Sequence, residues 1–299
     1  MQSAPSAACR KVKTMPAEVL KGAPVAEALS EQLKTRIAAL AERGVVPCLG
    51  MIRIGERPGD LSYERSATKR CESLGIKLEK HVLPAGVTEE KLISLIEKMN
   101  DDRAIHGILF FRPLPAEMDA RRVCDAIAPE KDVDGITSRS MAAVYAGEEH
   151  AFFPCTAQAV IEMLRYYKIP VCGKRAVVVG RSLVTGRPAA LLLLREHATV
   201  TVCHTRTADL KAMTREADII VTATGHINTV TAAHLRSGQV VIDIGINYDE
   251  IRQKLCGDVD HDAAEQIVDA ISAVPGGIGA VTSTILASHV VEAAERLAE

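Results

Sequence analysis

The segment from Val177 to Pro188 combines residue types that can bind a pyrophosphate. A run of valines ends at Gly180, and Gly186 opens a helix with Pro188 in its first turn. Glycines let the backbone approach a ligand closely, and a helix N-terminus offers free N–H donors and the positive end of a dipole. The spacing differs from the standard G-x-G-x-x-G, so a tight strand-to-helix turn without a ligand stays an alternative. Ser182 lies inside this loop and is a candidate contact to the same ligand.

The end of the next strand bears on which dinucleotide would bind. NAD sites usually place an acid there, where it binds the ribose 2′-hydroxyl. Here the strand ends in Cys203-His204-Thr205-Arg206-Thr207, which contains no acid. Arg206, and Arg181 in the glycine-containing loop, can neutralise a 2′-phosphate instead, although both could equally be solvated surface groups. We therefore expect NADP rather than NAD.

A parallel sheet has to position these residues, and the hydrophobic pattern predicts one. In the second half of the chain we expect strands and helices in the order helix 157–167, strand 176–180, strand 199–203, strand 218–224, strand 239–244 and helix 283–297. In the first half we expect helix 24–43, strand 48–54, helix 61–74, strand 77–83, helix 89–99, strand 105–111 and helix 118–127. Strands that alternate with helices imply βαβ crossovers. The chain is predicted to be an α/β protein of two domains, with a boundary near residues 146–156.

The composition is that of a globular protein and excludes several functional classes. The 36 Lys and Arg residues nearly balance 38 Asp and Glu residues, for a net charge of −2, which argues against a broad nucleic-acid surface. The longest apolar run, Ala189 to Leu194, is far below the ~20 residues of a membrane-spanning helix. The eight cysteines and nine histidines show no metal-ligand spacing, so we expect no metal and reduced thiols in a cytoplasmic protein.

Residues 1–14 differ from the rest of the chain. They contain Arg10, Lys11 and Lys13 but no acid, and they lack the apolar core of a secretory signal. We expect a disordered extension, with Met15 as an alternative start. A weak organelle-targeting peptide is the alternative interpretation.

Several segments together resemble the FolD family, the methylenetetrahydrofolate dehydrogenase/cyclohydrolases. In chain order they are Ser62-Tyr63, Gly107-Ile-Leu with Pro113-Leu-Pro115, Pro129-Glu-Lys-Asp132-Val-Asp134-Gly135, Pro154-Cys-Thr156, Val178-Val-Gly180-Arg-Ser182, Asp243-Ile-Gly245-Ile-Asn247, Gly257-Asp258-Val259 and Val274-Pro-Gly-Gly-Ile-Gly279. The resemblance covers about residues 20 to 297, in order and nearly without gaps. A shikimate-dehydrogenase-like enzyme would share the two-domain plan, but the Lys-Asp-Val-Asp-Gly and Val-Pro-Gly-Gly-Ile-Gly segments are not typical of it.

The resemblance implies both an architecture and a reaction. The expected architecture is an N-terminal α/β folate-binding domain, residues 15–155, completed by the C-terminal helix, residues 283–299, and a Rossmann-type NADP-binding domain, residues 156–282. The implied reaction oxidises 5,10-methylenetetrahydrofolate to the methenyl form by hydride transfer to NADP⁺. Most family members then hydrolyse the methenyl compound to 10-formyltetrahydrofolate in the same site, and they are usually homodimers.

One position departs from the family pattern next to Tyr63. In the family a lysine follows the catalytic tyrosine by four residues, but this chain has Ala67 there. On a helix Ala67 lies about 40° around the axis from Tyr63, whereas Lys69 lies about 240° away. Arg70 returns to the face of the tyrosine but about 10 Å further along the axis. Neither cation is therefore a simple replacement for the missing lysine.

A second departure agrees with the first. The family places a glutamine, the partner of the lysine, two residues before the first proline of its Pro-Leu-Pro segment, and Phe111 occupies that position here. Hydrolysis of the methenyl carbon needs proton transfer, whereas hydride transfer depends largely on positioning. We expect a dehydrogenase with weak or absent cyclohydrolase activity. The alternatives are full bifunctionality, with Arg70 or Arg112 serving the lost lysine, and a non-catalytic protein that binds folate and NADP.

The remaining site residues are implied by the resemblance. Asp134 is expected to bind the pterin ring, where a carboxylate can accept paired N–H bonds, and Tyr63 to pack along the folate. Additional substrate contacts are expected from Pro275, Gly276, Gly277 and Thr282. The expected cofactor contacts are Gly180, Arg181, Ser182, Gly186, Thr205, Arg206 and Ile246. The family has Gly-Pro-Met-Thr where this chain has Gly279-Ala280-Val281-Thr282, which puts the shape of the pterin-side loop in doubt.

Overall fold

Two parallel sheets form the framework of the chain, for which the computed structural model describes residues 16–148 and 151–298. The strands are β1 (Glu18–Leu20), β2 (Cys48–Ile54), β3 (Lys77–Leu83), β4 (Gly107–Phe110), β5 (Arg175–Val179), β6 (Thr199–Cys203), β7 (Ile219–Thr222), β8 (Val240–Asp243), β9 (Asn247–Asp249), β10 (Lys254–Cys256) and β11 (Ala270–Ser272). The helices are α1 (Gly22–Glu42), α2 (Pro58–Leu74), α3 (Glu89–Asp101), α4 (Ala120–Asp125), α5 (Ser138–Ala146), α6 (Cys155–Tyr166), α7 (Gly186–Arg195), α8 (Leu210–Glu216), α9 (His261–Glu265) and α10 (Ile278–Leu297).

The first sheet has the strand order β3-β2-β4, and its strands are parallel. Successive residues of a strand face opposite sides, so β2 contributes to two hydrophobic layers. Leu49 and Met51 pack in the cluster that contains residues of α2 and α10, while Ile52 and Ile54 pack with residues of α3 and α4. Burial on both faces explains why all seven positions of β2 are buried. The sheet is therefore an inner layer. Helices α2 and α4 follow β2 and β4, so both begin beyond its carboxyl edge.

The second sheet has the order β1-β11-β8-β7-β5-β6, and every neighbouring pair is parallel. Its central strands consist of buried aliphatic residues because helices cover both faces. β9 and β10 form an antiparallel hairpin beyond β8. The open parallel arrangement with crossover helices is the doubly wound type that the sequence predicts.

Helix α10 joins the two parts of the molecule. It packs against α1 and α2 beside the first sheet and against α6 beside the second. Its side chains Val281, Ile285 and Leu286 lie in the hydrophobic cluster that also contains Phe111 and Val178. The two-domain α/β class and the role of a C-terminal helix in the first domain are thus seen directly.

The observed bounds of the elements differ from the predicted ones mainly at the ends of helices and in short strands. The predicted first domain begins at residue 15, yet Glu18–Leu20 pair with Ala270–Ser272 of the second sheet. Leu20 is completely buried there, so the pairing also buries an apolar side chain. Helix α10 begins at Ile278, earlier than the predicted residue 283. The division into residues 15–155 with 283–299 and 156–282 stays a prediction, and the expected extension at residues 1–14 lies outside the described residues.

Within residues 16–148 and 151–298, no helix is long and apolar enough to cross a membrane.

Candidate active site

The carboxyl edge of the first sheet is lined by the Tyr63 cluster, which we define as Tyr63, Phe111, Arg112 and Asp134. Phe111 follows β4, and its N–H donates to the Ile52 carbonyl at 3.1 Å, which continues the pairing of β4 with β2. Its ring meets the Tyr63 ring edge to face, with centroids 5.8 Å apart and planes at 80°. Such pairs contribute about 0.5–1.5 kcal/mol beyond the area they bury. Tyr63 is consequently held by an aromatic side chain.

Ala67 lies one helical turn beyond Tyr63 and is completely buried in the same hydrophobic cluster as Phe111. The two positions where the resemblance places a lysine and a glutamine therefore form part of one apolar layer. A lysine at position 67 would have to bury its ammonium group in this apolar cluster, which is unfavourable without a polar partner. Both departures from the family pattern thus lie in the same hydrophobic cluster.

Neither nearby cation of α2 reaches this layer. Arg70 points to α1, where its Nη1 donates to the Ser30 hydroxyl at 3.0 Å. Lys69 is exposed. The contact with Ser30 of α1 therefore speaks against the alternative in which Arg70 serves the lost lysine.

The charged residues in the segment from Lys131 to Gly135 have different roles. The Lys131 ammonium donates to three carbonyls at the end of α3, those of Met99, Asn100 and Asp102, at 2.9, 2.7 and 2.6 Å. The Asp132 carboxylate accepts from the N–H groups of Ile136 and Thr137, at 2.9 and 2.8 Å, and from the Ser140 hydroxyl. Lys131 and Asp132 thus fix the loop between α4 and α5, which leaves Asp134 for a ligand.

Asp134 is a carboxylate in a mostly buried setting. Its side chain is 16% exposed, and its Oδ2 lies 3.6 Å from Nη2 of Arg112. Burial raises the pKa of Asp134 to about 6, and the Arg112 charge opposes this rise. Burial, together with the negative charge of Asp134, raises the pKa of Tyr63 well above its usual value. At pH 7 the cluster therefore presents a mainly ionised carboxylate and a neutral phenol.

Two buried side chains whose role the sequence did not reveal support the backbone beside Asp134. The Cys155 thiol donates to the Val133 carbonyl at 3.2 Å, and Nδ1 of His289 lies 2.8 Å from the same oxygen. Burial lowers the pKa of His289, which favours the neutral ring. Nε2 lies 2.9 Å from Oε1 of Gln158. A histidine within the apolar run of α10 was the signal that could have revealed this contact.

The loop between β5 and α7 has the shape that the glycines predict. Gly180 has a φ of +125°, and a Cβ there would lie 2.3 Å from the Ala223 carbonyl oxygen. A Cβ on Gly186 would lie 2.3 Å from the Gly180 carbonyl oxygen. The Ser182 hydroxyl accepts from the N–H groups of Thr185 and Gly186 at 3.1 and 3.4 Å, which shapes the start of α7. The helix N-terminus is thereby held at the carboxyl edge of the second sheet.

Both candidate arginines lie at this same edge. β5 and β6 are paired neighbours in which Val179 is opposite Cys203, so the residues after each strand lie side by side. Arg181, Thr205 and Arg206 are exposed there. The Arg206 N–H donates to Nδ1 of His204 at 3.1 Å, which fixes the turn that carries Thr205 and Arg206. The fold thus places Arg181 and Arg206 in the two neighbouring loops that follow β5 and β6.

Two buried aspartates fix the loops after β7 and β8, a role that the motifs containing them did not reveal in the sequence. Asp258 accepts from the N–H groups of Thr224, Gly225 and His226 at 2.5, 3.2 and 3.1 Å. Asp243 accepts from the N–H groups of Gly245, Asp258 and Val259 at 2.9, 3.1 and 2.9 Å. Burial raises the pKa of Asp243, and these N–H donors oppose the rise. Ile246 lies between these two aspartates in the chain and is 67% exposed at the same edge, where it can contact a ligand.

The last group of predicted contacts lies before and within α10. Pro275 and Gly276 are exposed, and Gly277 is the buried residue before the helix. The Gly276 carbonyl accepts from the Gly22 N–H at 2.8 Å, which ties this loop to α1. Thr282 is buried, and its hydroxyl donates to the Ile278 carbonyl at 3.1 Å within the helix. A substrate contact from these residues stays a prediction.

Among the described residues there is no group of three or more His, Cys, Asp or Glu side chains that could hold a metal ion.

Two family models match the chain, one for each part. The model of the tetrahydrofolate dehydrogenase/cyclohydrolase catalytic domain matches residues 20–134, and that of the NAD(P)-binding domain matches residues 154–298. This chain belongs to the tetrahydrofolate dehydrogenase/cyclohydrolase family. The expected family is therefore confirmed, and a shikimate-dehydrogenase-like enzyme is excluded.

Individual members of the family are similar over nearly their whole length. The bifunctional protein FolD of Carboxydothermus hydrogenoformans is 50% identical over 282 residues, which are 94% of this chain and 98% of that protein. The crystal structure of the bifunctional FolD enzyme from Campylobacter jejuni has a TM-score of 0.91 at 36% identity and covers 94% of this chain and 99% of its own. A FolD structure from Trypanosoma brucei, complexed with NADP cofactor and inhibitor, has a TM-score of 0.89 at 35% identity and covers 94% and 98% of the two chains. These similarities confirm the two-domain α/β class.

Proposed function

We propose that the chain is an NADP-dependent 5,10-methylenetetrahydrofolate dehydrogenase whose cyclohydrolase activity is weak or lost. Membership of the dehydrogenase/cyclohydrolase family supports the first part. The observation that carries the second part is the contact of Phe111 with Tyr63 beside the buried Ala67. Oxidation removes a hydride from the methylene carbon of the folate, transfers it to the nicotinamide of NADP⁺, and leaves the methenyl cation and NADPH.

The cofactor is NADP, in keeping with the NADP-complexed relative from T. brucei. We assign its pyrophosphate to the loop of Gly180, Ser182 and Gly186, where a helix N-terminus and tightly packed backbone meet. Arg181, Thr205 and Arg206 would hold the 2′-phosphate, since a guanidinium pairs well with phosphate oxygens. Ile246 would pack beside the nicotinamide end. The nicotinamide supplies the hydride acceptor, and the chain positions the folate carbon against it.

The folate would bind at the Tyr63 cluster. The ionised Asp134 can accept two N–H bonds from the 2-amino-4-oxo edge of the pterin, and Tyr63 would lie along the folate. The exposed Pro275 and Gly276 provide further surface at the neighbouring loop, together with Gly277 and Thr282. The dehydrogenase reaction needs no proton acceptor on the protein because a hydride leaves the substrate directly.

Hydrolysis makes a different demand on the same site. Water must attack the methenyl carbon and lose a proton, and a positioned acid or base accelerates such a step by about 10²–10⁴-fold. The family lysine and glutamine that would serve this step are replaced by a methyl group and a phenyl ring. The barrier to hydrolysis is therefore expected to be higher by roughly 3–5 kcal/mol than in a bifunctional member.

The products formed from methylenetetrahydrofolate and NADP⁺ test this function. We expect NADPH and methenyltetrahydrofolate to accumulate in equal amounts, with 10-formyltetrahydrofolate appearing only at the spontaneous rate. Direct accumulation of 10-formyltetrahydrofolate would support the fully bifunctional alternative. Absence of NADPH formation, with binding of both ligands retained, would identify a non-catalytic binding protein instead.

We further propose a cytoplasmic homodimer, on the basis of family membership. The described cysteines Cys48, Cys71, Cys124, Cys155, Cys172, Cys203 and Cys256 are all free, which agrees with a reducing compartment. Light scattering of the purified protein would distinguish a dimer from a monomer of 32.1 kDa.

A further inference from the structure

Arg112 is a charged residue of the Tyr63 cluster that the proposed reaction does not use. It follows Phe111 beyond the carboxyl end of β4, and its Nη2 lies 3.6 Å from Oδ2 of Asp134. The side chains are 25% and 16% exposed, so the pair is largely shielded from water without being sealed off. The charge of Arg112 therefore acts on Asp134 in a medium that screens it less than bulk water does.

The distance of this pair leaves the carboxylate available to a ligand. Charge-assisted hydrogen bonds between a guanidinium and a carboxylate are typically about 2.7–2.9 Å long. At 3.6 Å, Arg112 attracts Asp134 without a short hydrogen bond of this kind. The oxygen lone pairs can then accept two N–H bonds from the pterin edge while the negative charge stays balanced.

The other groups that face Asp134 do not provide a positive charge. They are Tyr63 of α2, Cys124 of α4, Asp132 of the same loop and Cys155 of α6. Burial raises the pKa of Tyr63, Cys124 and Cys155, which keeps all three neutral near pH 7. Asp132 adds negative charge, which favours protonation of Asp134. Of the described groups facing Asp134, Arg112 is the one that favours its ionised form through charge.

We propose that Arg112 is a positioning residue that keeps Asp134 ionised at neutral pH, so that the carboxylate can accept both N–H bonds of a pterin. This inference rests on the proposed function insofar as Asp134 is taken to bind folate. Arg112 acts through Asp134 and does not take part in hydride transfer. It also differs from the role of a substitute for the missing lysine, because a guanidinium stays protonated and cannot serve as a base.

The pH dependence of folate binding tests this role. Folic acid carries the same 2-amino-4-oxo edge and can be titrated calorimetrically against the wild type, Arg112→Leu and Arg112→Lys. Wild-type affinity should fall as the pH drops through about 6, where Asp134 gains its proton. Without the guanidinium, the neutral carboxyl is favoured further. The pH at which the affinity falls, which we call the acid limb of the profile, should therefore rise by about 1 pH unit in Arg112→Leu. At pH 6 this shift corresponds to a roughly five-fold loss of affinity, which should nearly vanish at pH 8.

Two further variants separate this effect from a general disturbance. Arg112→Lys keeps the positive charge, so its pH profile should stay close to that of the wild type. Arg103→Leu removes an exposed arginine near the opposite end of β4 and should leave the limb in place. Affinity for NADP⁺ should be unchanged in all variants, which reports a folded second domain. Superimposable pH profiles of the wild type and Arg112→Leu would overturn the inference, as would a loss of equal size at every pH.

Measuring kcat/KM for methylenetetrahydrofolate over the same pH range distinguishes this inference from the proposed function. Normal NADPH formation with an unmoved acid limb in Arg112→Leu would overturn the role of Arg112 alone. Absent NADPH formation in the wild type, with folic acid binding that still depends on Arg112, would overturn the proposed function alone. Failure of the wild type both to bind folic acid and to form NADPH would overturn both.

Discussion

The carboxyl edges of the two sheets differ in how far they keep the residues of the family pattern. At the edge of the second sheet, glycines, aspartates and arginines keep the polar, tightly packed loops that suit a dinucleotide. At the edge of the first sheet, Ala67 and Phe111 form an apolar layer against Tyr63. Hydride transfer depends on the dinucleotide-binding loops of the second sheet, whereas hydrolysis in the family uses the polar pair that the edge of the first sheet lacks. Under the proposed function, this contrast would keep one reaction and weaken the other.

The largest effect is expected from a substitution of Gly180, in the loop at the carboxyl edge of the second sheet to which we assign the dinucleotide. A Cβ in Gly180→Ala would lie 2.3 Å from a backbone oxygen, at a φ of +125° that L-residues rarely adopt. We expect unfolding free energy to fall by about 2–5 kcal/mol, and kcat/KM for NADP⁺ to fall at least about 10²-fold, because the loop must move. Gly86→Ala is the matched control, since a Cβ at Gly86 meets no atom within 4 Å. Similar melting temperatures and similar kinetics for the two variants would contradict the role given to Gly180.

The next prediction restores the polar pair at the other edge. In the double variant Ala67→Lys with Phe111→Gln, the amide can face the introduced amine, so cyclohydrolase activity should rise by about 10²-fold. Ala67→Lys alone should gain less and lose stability, because its ammonium would be buried against the Phe111 ring. Rates of methenyltetrahydrofolate loss and thermal melts measure both effects. If the double variant hydrolyses no faster than the wild type, the two missing residues are not the cause of the weak activity.

A smaller effect is expected from a substitution of Arg206, which tests where the 2′-phosphate of the dinucleotide binds. Arg206→Ala removes an exposed positive charge that we assign to the 2′-phosphate, so KM for NADP⁺ should rise about 10-fold while KM for NAD⁺ changes little. Arg121→Ala removes an exposed arginine of α4 in the first domain and should leave both KM values unchanged. Equal changes in KM for NADP⁺ and for NAD⁺ would show that Arg206 does not contact the 2′-phosphate.

Much of the framework could be predicted from sequence because it depends on local patterns. The bounds of Cys48–Ile54, Lys77–Leu83 and Thr199–Cys203 agree with the prediction, since each strand is set off by turn residues. β1 could not be predicted, because three residues carry no periodic signal and their partner β11 lies far along the chain. The hairpin of β9 and β10 was missed for the same reason: its strands are three residues long.

The candidate site shows the same limit. Ala67 and Phe111 could be identified through the resemblance to the family, because they occupy the positions where the family motifs have a lysine and a glutamine. Their packing against Tyr63 could not, since it depends on how α2 lies over β4. The contact of Arg112 with Asp134 and the support of Val133 by His289 also join distant parts of the chain. Sequence patterns identify such residues, and only the tertiary structure shows which of them meet.

The most direct test of the central claim is the rate at which the purified wild-type protein hydrolyses 5,10-methenyltetrahydrofolate. The loss of its absorbance should proceed at the spontaneous rate, in a preparation that rapidly reduces NADP⁺ with methylenetetrahydrofolate. A hydrolysis rate that rises with enzyme concentration and matches the dehydrogenase rate would contradict the account.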